Sequence, residues 1–220
     1  MKQIVIFGTG AIAEVIYKYL INDSTYEVAA FSAHERFIKE KKLFQLPIIA
    51  FEEIQKMYPP DKFGMFVAVG YANVNQLRAS IYNEAKAKGY KLISYVNSKA
   101  IYWSDVEIGD NCFIFEDNVI QPFVEIGNNV IIWSGNHIGH HASIGDHCFI
   151  SSHVVISGHV HIEPYCFLGV NSTLINGLKI AQKCVVGAGT LLIKDTQESG
   201  VYVGSPARLI NTDSSTLARL

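Results

Sequence analysis

Seven of the eight histidines fall within one short stretch, at His137, His140, His141, His147, His153, His159 and His161. Imidazole is the side chain whose ordinary pKa lies nearest neutrality, so such a cluster suggests general acid–base chemistry or metal ligation. The adjacent pair His140-His141, following Ile138-Gly139, suits a general base acting on an amine or hydroxyl nucleophile. His141 and His159 are eighteen residues apart, while His147 and His153 fall out of phase with them. That scatter argues against one metal cluster, so no metal is expected. Most of the seven read as exposed corner residues, with His140 and His141 as the catalytic candidates.

The elements that position them are written in a strict period of six. Fifteen consecutive hexapeptides run from Val106 to Asp195, beginning VEIGDN, CFIFED, NVIQPF and ending CVVGAG, TLLIKD. The third residue of each is Ile, Leu or Val, and the fourth is often Gly, as at Gly109, Gly127, Gly139, Gly145, Gly169 and Gly187. Such a period is a solenoid signature. Each hexad supplies one short strand and one corner, and three hexads close a triangular coil of eighteen residues. In this register His141 and His159 share a corner, and His147 and His153 occupy the other two.

The cysteines test the register independently. Cys112, Cys148, Cys166 and Cys184 all take the first position of a hexad, with Val130 filling the missing rung. Rungs about 4.8 Å apart would offer a line of thiols rather than converging ligands. They are expected to be small apolar fillers of the inner wall.

Three outer columns follow from the same register. One is Phe113, Ile131, Phe149, Phe167 and Val185, wholly apolar; another is Glu107, Glu125, Ser143, His161 and Lys179. The third, Val119, His137, Val155, Thr173 and Leu191, is mixed. An apolar stripe along a rod implies a covering partner and suits closed cyclic assembly. A homotrimer is expected, with clefts between neighbouring prisms.

Residues 1–97 read differently. Apolar runs at Gln3–Phe7, Tyr26–Phe31, Leu46–Ala50, Phe63–Val69 and Leu92–Val96 alternate with helical spacing at Ala11–Leu20, Phe51–Met57 and Asn75–Gly89. Alternating strands and helices imply a parallel sheet with crossovers. The fold class is thus a Rossmann-like α/β domain over 1–97 and a parallel β-helix of hexapeptide repeats over 98–220. The loop Gly8-Thr9-Gly10-Ala11-Ile12-Ala13 allows close backbone approach to a phosphate at a helix N-terminus. The acidic residue usual at the end of the second strand is replaced by Ser32-Ala33-His34, which argues against NAD and leaves a nucleotide-sugar or a purely structural turn, with the nucleotide-sugar favoured. The tail Glu198–Arg208, with Gly204 and Pro206, is expected to fold back over the last coil.

Composition limits the alternatives. Lysine and arginine total 18 against 20 acidic residues, a net charge of −2, which gives no basic footprint for nucleic acid or an anionic membrane. No apolar stretch reaches the about 18 residues of a membrane span, and no leader pattern opens the chain. A soluble, cytoplasmic protein is expected.

The combination of GTGAIA, AVG followed by Arg78, LISYV, the hexad array, GHH and VYVGSPAR resembles the bacterial sugar O-/N-acyltransferases. These include the sialic acid O-acetyltransferase and the nucleotide-linked amino-sugar N-acetyltransferases. The resemblance spans essentially the whole chain and implies a left-handed β-helix. It implies acetyl-CoA-dependent N-acetylation of a UDP- or dTDP-linked amino sugar in surface-glycan synthesis, with sialic-acid-type O-acetylation as the rival. It further implies that His140 is the base, in the corner where the family has Glu-His-Glu. The residue polarising that base is acidic in the family, and here it is His141. A carboxylate is therefore expected from elsewhere, such as Asp146, unless His141 itself takes part. By the same resemblance acetyl-CoA lies between subunits near Phe149, Val170 and Ala188, towards Gly204–Arg208. The nucleotide-sugar rests on Gly10, Ala11 and Ile12, near Ser32 and Gly70. Two other classes compete: a trimeric scaffold with an effector nucleotide, and a γ-type carbonic anhydrase, which needs three histidines on zinc across a subunit interface.

Overall fold

The computed structural model describes residues 2–217. Two compact units form, one from Met1–Gly70 and Ser80–Tyr95, the other from Tyr71–Ala79 and Val96–Leu220.

In the first unit, β1 (Gln3–Phe7), α1 (Ala11–Asp23) and β2 (Glu27–Ala33) follow the apolar runs. A hairpin of β3 (Lys42–Leu43) and β4 (Leu46–Ala50) precedes α2 (Ile54–Met57) and β5 (Gly64–Val67). The helix α3 (Gln76–Ala87) follows, its residues from Ser80 onward belonging to this unit. The sheet order is β3-β4-β2-β1-β5, parallel except for the β3–β4 hairpin at its edge. Order therefore reverses at β1, the crevice where open α/β sheets bind ligands. Val5, Phe7, Phe51, Ile54, Met65 and Ile81 form part of the core beneath.

In the second unit each hexad forms a two-residue strand, and the strands from Glu107–Ile108 to Thr173–Leu174 each pair in parallel with the one eighteen residues later. Glu107, Glu125, Ser143, His161 and Lys179 stand in one column, as Val119, His137, Val155, Thr173 and Leu191 do in another. The three sheets wind as a left-handed β-helix. Isoleucine, leucine and valine at the third hexad position fill its interior with the cysteines. All four cysteines are free and fully buried, and burial raises the thiols of Cys166 and Cys184. Each donates to a backbone carbonyl, as Cys112 Sγ does to Gly127 O at 3.0 Å.

The corners have their own rule. Every sixth residue from Asn111 to Gly189 has positive φ, including His141, His147, His153 and His159. Asparagine, aspartate, histidine and glycine tolerate the left-handed region best. Backbone conformation thus accounts for four of the histidines without any chemistry.

The expected apolar stripe is present, but it is not open for a partner. Phe113, Ile131, Phe149, Phe167 and Val185 are all buried within the single chain. Tyr71 packs on Phe149 and Phe167 with centroids 4.9 and 5.0 Å away. This stripe consequently gives no argument for a trimer. The segment responsible, Tyr71–Ala79, belongs with the β-helix rather than with the first unit, to which the sequence reading assigned it.

Arg78 shows why. Its guanidinium is completely buried, and Nη2 donates to the carbonyls of His147 (2.9 Å), Cys148 (3.0 Å) and Asn129 (3.3 Å). Nη1 donates to Asn75 Oδ1 at 3.0 Å, and Asn75 Nδ2 donates to Tyr165 O and Cys166 O. One Arg–Asn pair therefore satisfies carbonyls on three successive coils.

The tail follows the expected course. Gly200–Val203 adds a parallel strand beside Val185–Val186, and Arg208–Asp213 returns antiparallel to it. The Ser205–Pro206 bond between them is cis.

Candidate active site

The corner between His137–Ile138 and Ser143–Ile144 presents His140 and His141, both exposed. The eighteen-residue coil sets His159 beside His141, their rings stacked with centroids 4.9 Å apart and planes 17° from parallel. Phe123, the equivalent residue of the preceding coil, packs on the other face of His141 at 4.7 Å. His140 is held by its backbone N–H, which donates to Gln121 Oε1 at 2.8 Å. Its ring meets His159 edge-on, centroids 5.0 Å apart.

Nδ1 of His140 lies 3.1 Å from Nδ1 of His141. A hydrogen bond between two such nitrogens needs one protonated and one free. With the proton on His140, its Nε2 keeps a lone pair, which is the tautomer a base requires. Gly158 makes room for this ring, because a Cβ there would stand 2.9 Å from Cε1 and Nε2 of His140.

The other histidines stand apart from this corner. His147 is buried, Asn129 Nδ2 donates to its Nδ1 at 2.9 Å, and burial is the main cause lowering its pKa. His161 Nδ1 pairs with Ser143 Oγ at 2.8 Å on the polar face. Asp146 does not supply the carboxylate suggested for it. Its Oδ1 accepts from the backbone N–H of Asn128 at 2.6 Å and from Asn128 Nδ2 at 3.3 Å, on the following corner. Stacked coils satisfy their corner polar groups locally, and this carboxylate oxygen of Asp146 is committed to Asn128.

At the glycine loop of the first unit, Gly8 N donates to Ser32 O and a Cβ on Gly8 would clash with Ala68 O at 2.6 Å. A Cβ on Gly70 would stand 2.9 Å from Ile12. Gly10 caps α1 with no side-chain bond, and the first helical bond runs from Glu14 N to Gly10 O. The amides of Ala11 and Ile12 therefore precede the ladder and point out of the helix N-terminus. Ser32 does not join them. It is fully buried, and its hydroxyl donates to Ile49 O at 2.9 Å, so its side chain is committed inside the sheet.

Comparison with known proteins agrees with both halves of the fold. Residues 3–85 match the PglD N-terminal domain, residues 105–139 and 123–158 match the bacterial transferase hexapeptide (six repeats), and residues 159–194 match the hexapeptide repeat of succinyl-transferase. Family models thus match both parts of the chain, a PglD-type N-terminal domain in the first and bacterial hexapeptide repeats in the second.

Solved structures share this hexapeptide-repeat architecture over nearly full length. PerB from Caulobacter crescentus, in complex with CoA and GDP-perosamine, is 24% identical with a TM-score of 0.85, covering 95% of this chain and 97% of that one. The acetyltransferase domain of PglB from Neisseria gonorrhoeae, in complex with acetyl coenzyme A, is 20% identical with a TM-score of 0.84, covering 95% and 99%. WeeI from Acinetobacter baumannii is 17% identical with a TM-score of 0.82, covering 94% and 100%. No curated protein sequence matches the chain. Among the described residues no helix is long and apolar enough to cross a membrane.

The residues expected to hold the donor divide in this hexapeptide-repeat protein. Val170 and Ala188 are exposed and occupy the same corner on successive coils, between the apolar and mixed faces. Phe149 is buried under Tyr71 and Phe167 and cannot line an open groove in this chain. His140, His141 and His159 lie on the next corner, between the mixed and polar faces. Sequence reading missed the approach of His159 to His140; the eighteen-residue spacing from His141 was its signal.

Proposed function

We propose that the protein is an acetyl-CoA-dependent N-acetyltransferase acting on a nucleotide-linked amino sugar, with His140 as general base. The observation that carries this reading is exposed His140, its backbone N–H held by Gln121 and its ring oriented by a nitrogen of His141 at 3.1 Å and seated over Gly158. Such an arrangement presents Nε2 to an incoming nucleophile. The sugar amine attacks the thioester carbonyl carbon, and Nε2 of His140 takes the proton released as nitrogen becomes acylated. Collapse of the tetrahedral intermediate breaks the C–S bond, and CoA thiolate leaves and regains a proton. His141 accepts the Nδ1–H of His140 throughout, so it holds the tautomer where the resembled family uses a carboxylate.

Support for the acceptor comes from the first unit. The Gly10–Ile12 helix terminus and Gly70 meet at the reversal of strand order, where a nucleoside diphosphate is readily bound. The similar structure of PerB contains GDP-perosamine, so guanine joins uracil and thymine among the bases to be tested. Support for the donor site is the exposed Val170–Ala188 corner, which flanks the mixed face on the side opposite His140.

A trimer fits this reading on different grounds from those first expected. The mixed face and its edges expose Ile101, Val155, Ile175 and Ile193. Packing these faces around a common axis would bring the donor corner of one copy towards the base of its neighbour. The four buried free thiols accord with a reducing cytoplasm.

The test is release of CoA thiol from acetyl-CoA against UDP-, dTDP- and GDP-linked amino sugars, their hydroxyl analogues and free sialic acid. Turnover with an amino sugar and none with its hydroxyl analogue is the expected result. Turnover with sialic acid alone would instead assign O-acetylation.

A further inference from the structure

We propose that His140, His141 and His159 form a binding site for a divalent transition metal, and that the ion silences the base by occupying it. Each of the three offers one ring nitrogen, and these atoms all lie within 4.8 Å of one another. Zinc–nitrogen bonds of about 2.0–2.1 Å in tetrahedral geometry place ligand nitrogens roughly 3.3 Å apart. The His140–His141 nitrogens already stand at 3.1 Å. His159 has at most roughly 1.5 Å to close, a movement that rotation of an exposed ring supplies. Three imidazoles with an open fourth position for solvent suit zinc, cobalt, nickel or copper, and exclude the oxygen-loving calcium and magnesium.

The site arises from the repeat itself. Left-handed corner residues eighteen positions apart stack their side chains, so histidine at both 141 and 159 gives two parallel imidazoles. Phe123 below and Gly177 above occupy the same position on neighbouring coils and end the column. The seven histidines do not all converge, as their scatter foretold; these three do. Metal uptake stands on this geometry alone. Its inhibitory consequence rests on the acetyltransferase reading, because a metal bound to His140 and a proton taken by it compete for the same imidazole.

The test uses the full chain without an affinity tag. Cobalt(II) is titrated into the wild type and into His159→Asn, which keeps a residue suited to the left-handed corner. His153→Asn, at an equivalent corner elsewhere, is the control. One cobalt per wild-type chain with the strong visible absorption of a four-coordinate ion is expected, with the control unchanged. Loss of a mere outer-shell partner lowers metal affinity about 10–100-fold, so removing His159 is expected to weaken binding at least about 100-fold. Sub-stoichiometric uptake by the wild type, or wild-type uptake by His159→Asn, would overturn the site. Zinc is expected to suppress CoA release by the wild type and to spare His159→Asn. A chain that binds cobalt as described but turns over no acceptor would count against acetyltransfer and leave the metal site standing.

Discussion

Replacing Arg78 by methionine is expected to be among the most destabilising single changes in this chain. The guanidinium is fully buried, and burial lowers its pKa to about 10, so it stays charged at neutral pH. Methionine retains most of the apolar stem and removes every donor. Cys148 O also accepts the ladder N–H of Ile131, whereas Asn129 and His147 are corner residues whose carbonyls lie outside the strands. Stranding two buried acceptors costs about 1–3 kcal/mol each, or about 2–6 kcal/mol in all. Relief of the guanidinium's own desolvation offsets part of this and leaves a net loss of about 2–4 kcal/mol. With a urea m-value of about 3 kcal/mol/M, the midpoint falls by about 1 M at the centre of that range. Arg78→Lys should fall between the two, since one ammonium cannot span three carbonyls. The assay is urea unfolding followed by circular dichroism. A loss under about 1 kcal/mol for Arg78→Met would refute the claim that this guanidinium secures the coil corners.

Two further changes probe the corners. Gly158→Ala is expected to fold with stability within about 1 kcal/mol of the wild type, because its backbone conformation is open to alanine. The new Cβ would displace the His140 ring from its seat at 2.9 Å, and CoA release should fall about 10²-fold, as a misplaced catalytic group does. His147→Asn is expected to flatten the loss of stability in acid. The folded pKa of His147 lies below its unfolded value of about 6.5, so its contribution is complete above that pH and is lost as pH falls below it. Asparagine would extend the ladder in which Asn111 Nδ2 donates to Asn129 Oδ1 at 2.8 Å. Unfolding free energies measured from about pH 7.5 down to about pH 5 should diverge in favour of the variant, and parallel curves would show that His147 does not titrate on unfolding.

Much of this architecture was legible because a period of six constrains every rung at once. The inward cysteine column, the three outer faces and the strand register all follow from counting. Alternating apolar runs likewise located β1, β2, β4 and β5, although the short β3 hairpin carried no apolar signal. What counting cannot show is which surface another part of the chain will cover. The apolar column implied a second copy of the chain, yet Tyr71 closes on Phe149 and Phe167, and Arg78 and Asn75 anchor its segment. Arg78 stood out in the sequence as part of a family pattern, while its structural reason lies in backbone carbonyls that no side-chain pattern records. Side-chain commitments were equally hidden: Ser32 bonds inward to Ile49 and Asp146 bonds to the previous coil. The histidines were read as scattered because phase alone separates corners. It does not reveal that His140 leans onto His159.

The central claim is tested most directly by comparing CoA release from acetyl-CoA in the wild type and His140→Asn, using whichever nucleotide-linked amino sugar the wild type accepts. General-base catalysis contributes about 10²–10⁴-fold, so the account predicts a loss of at least about 10²-fold with CoA binding and thermal stability retained. A variant that releases CoA at the wild-type rate would contradict it.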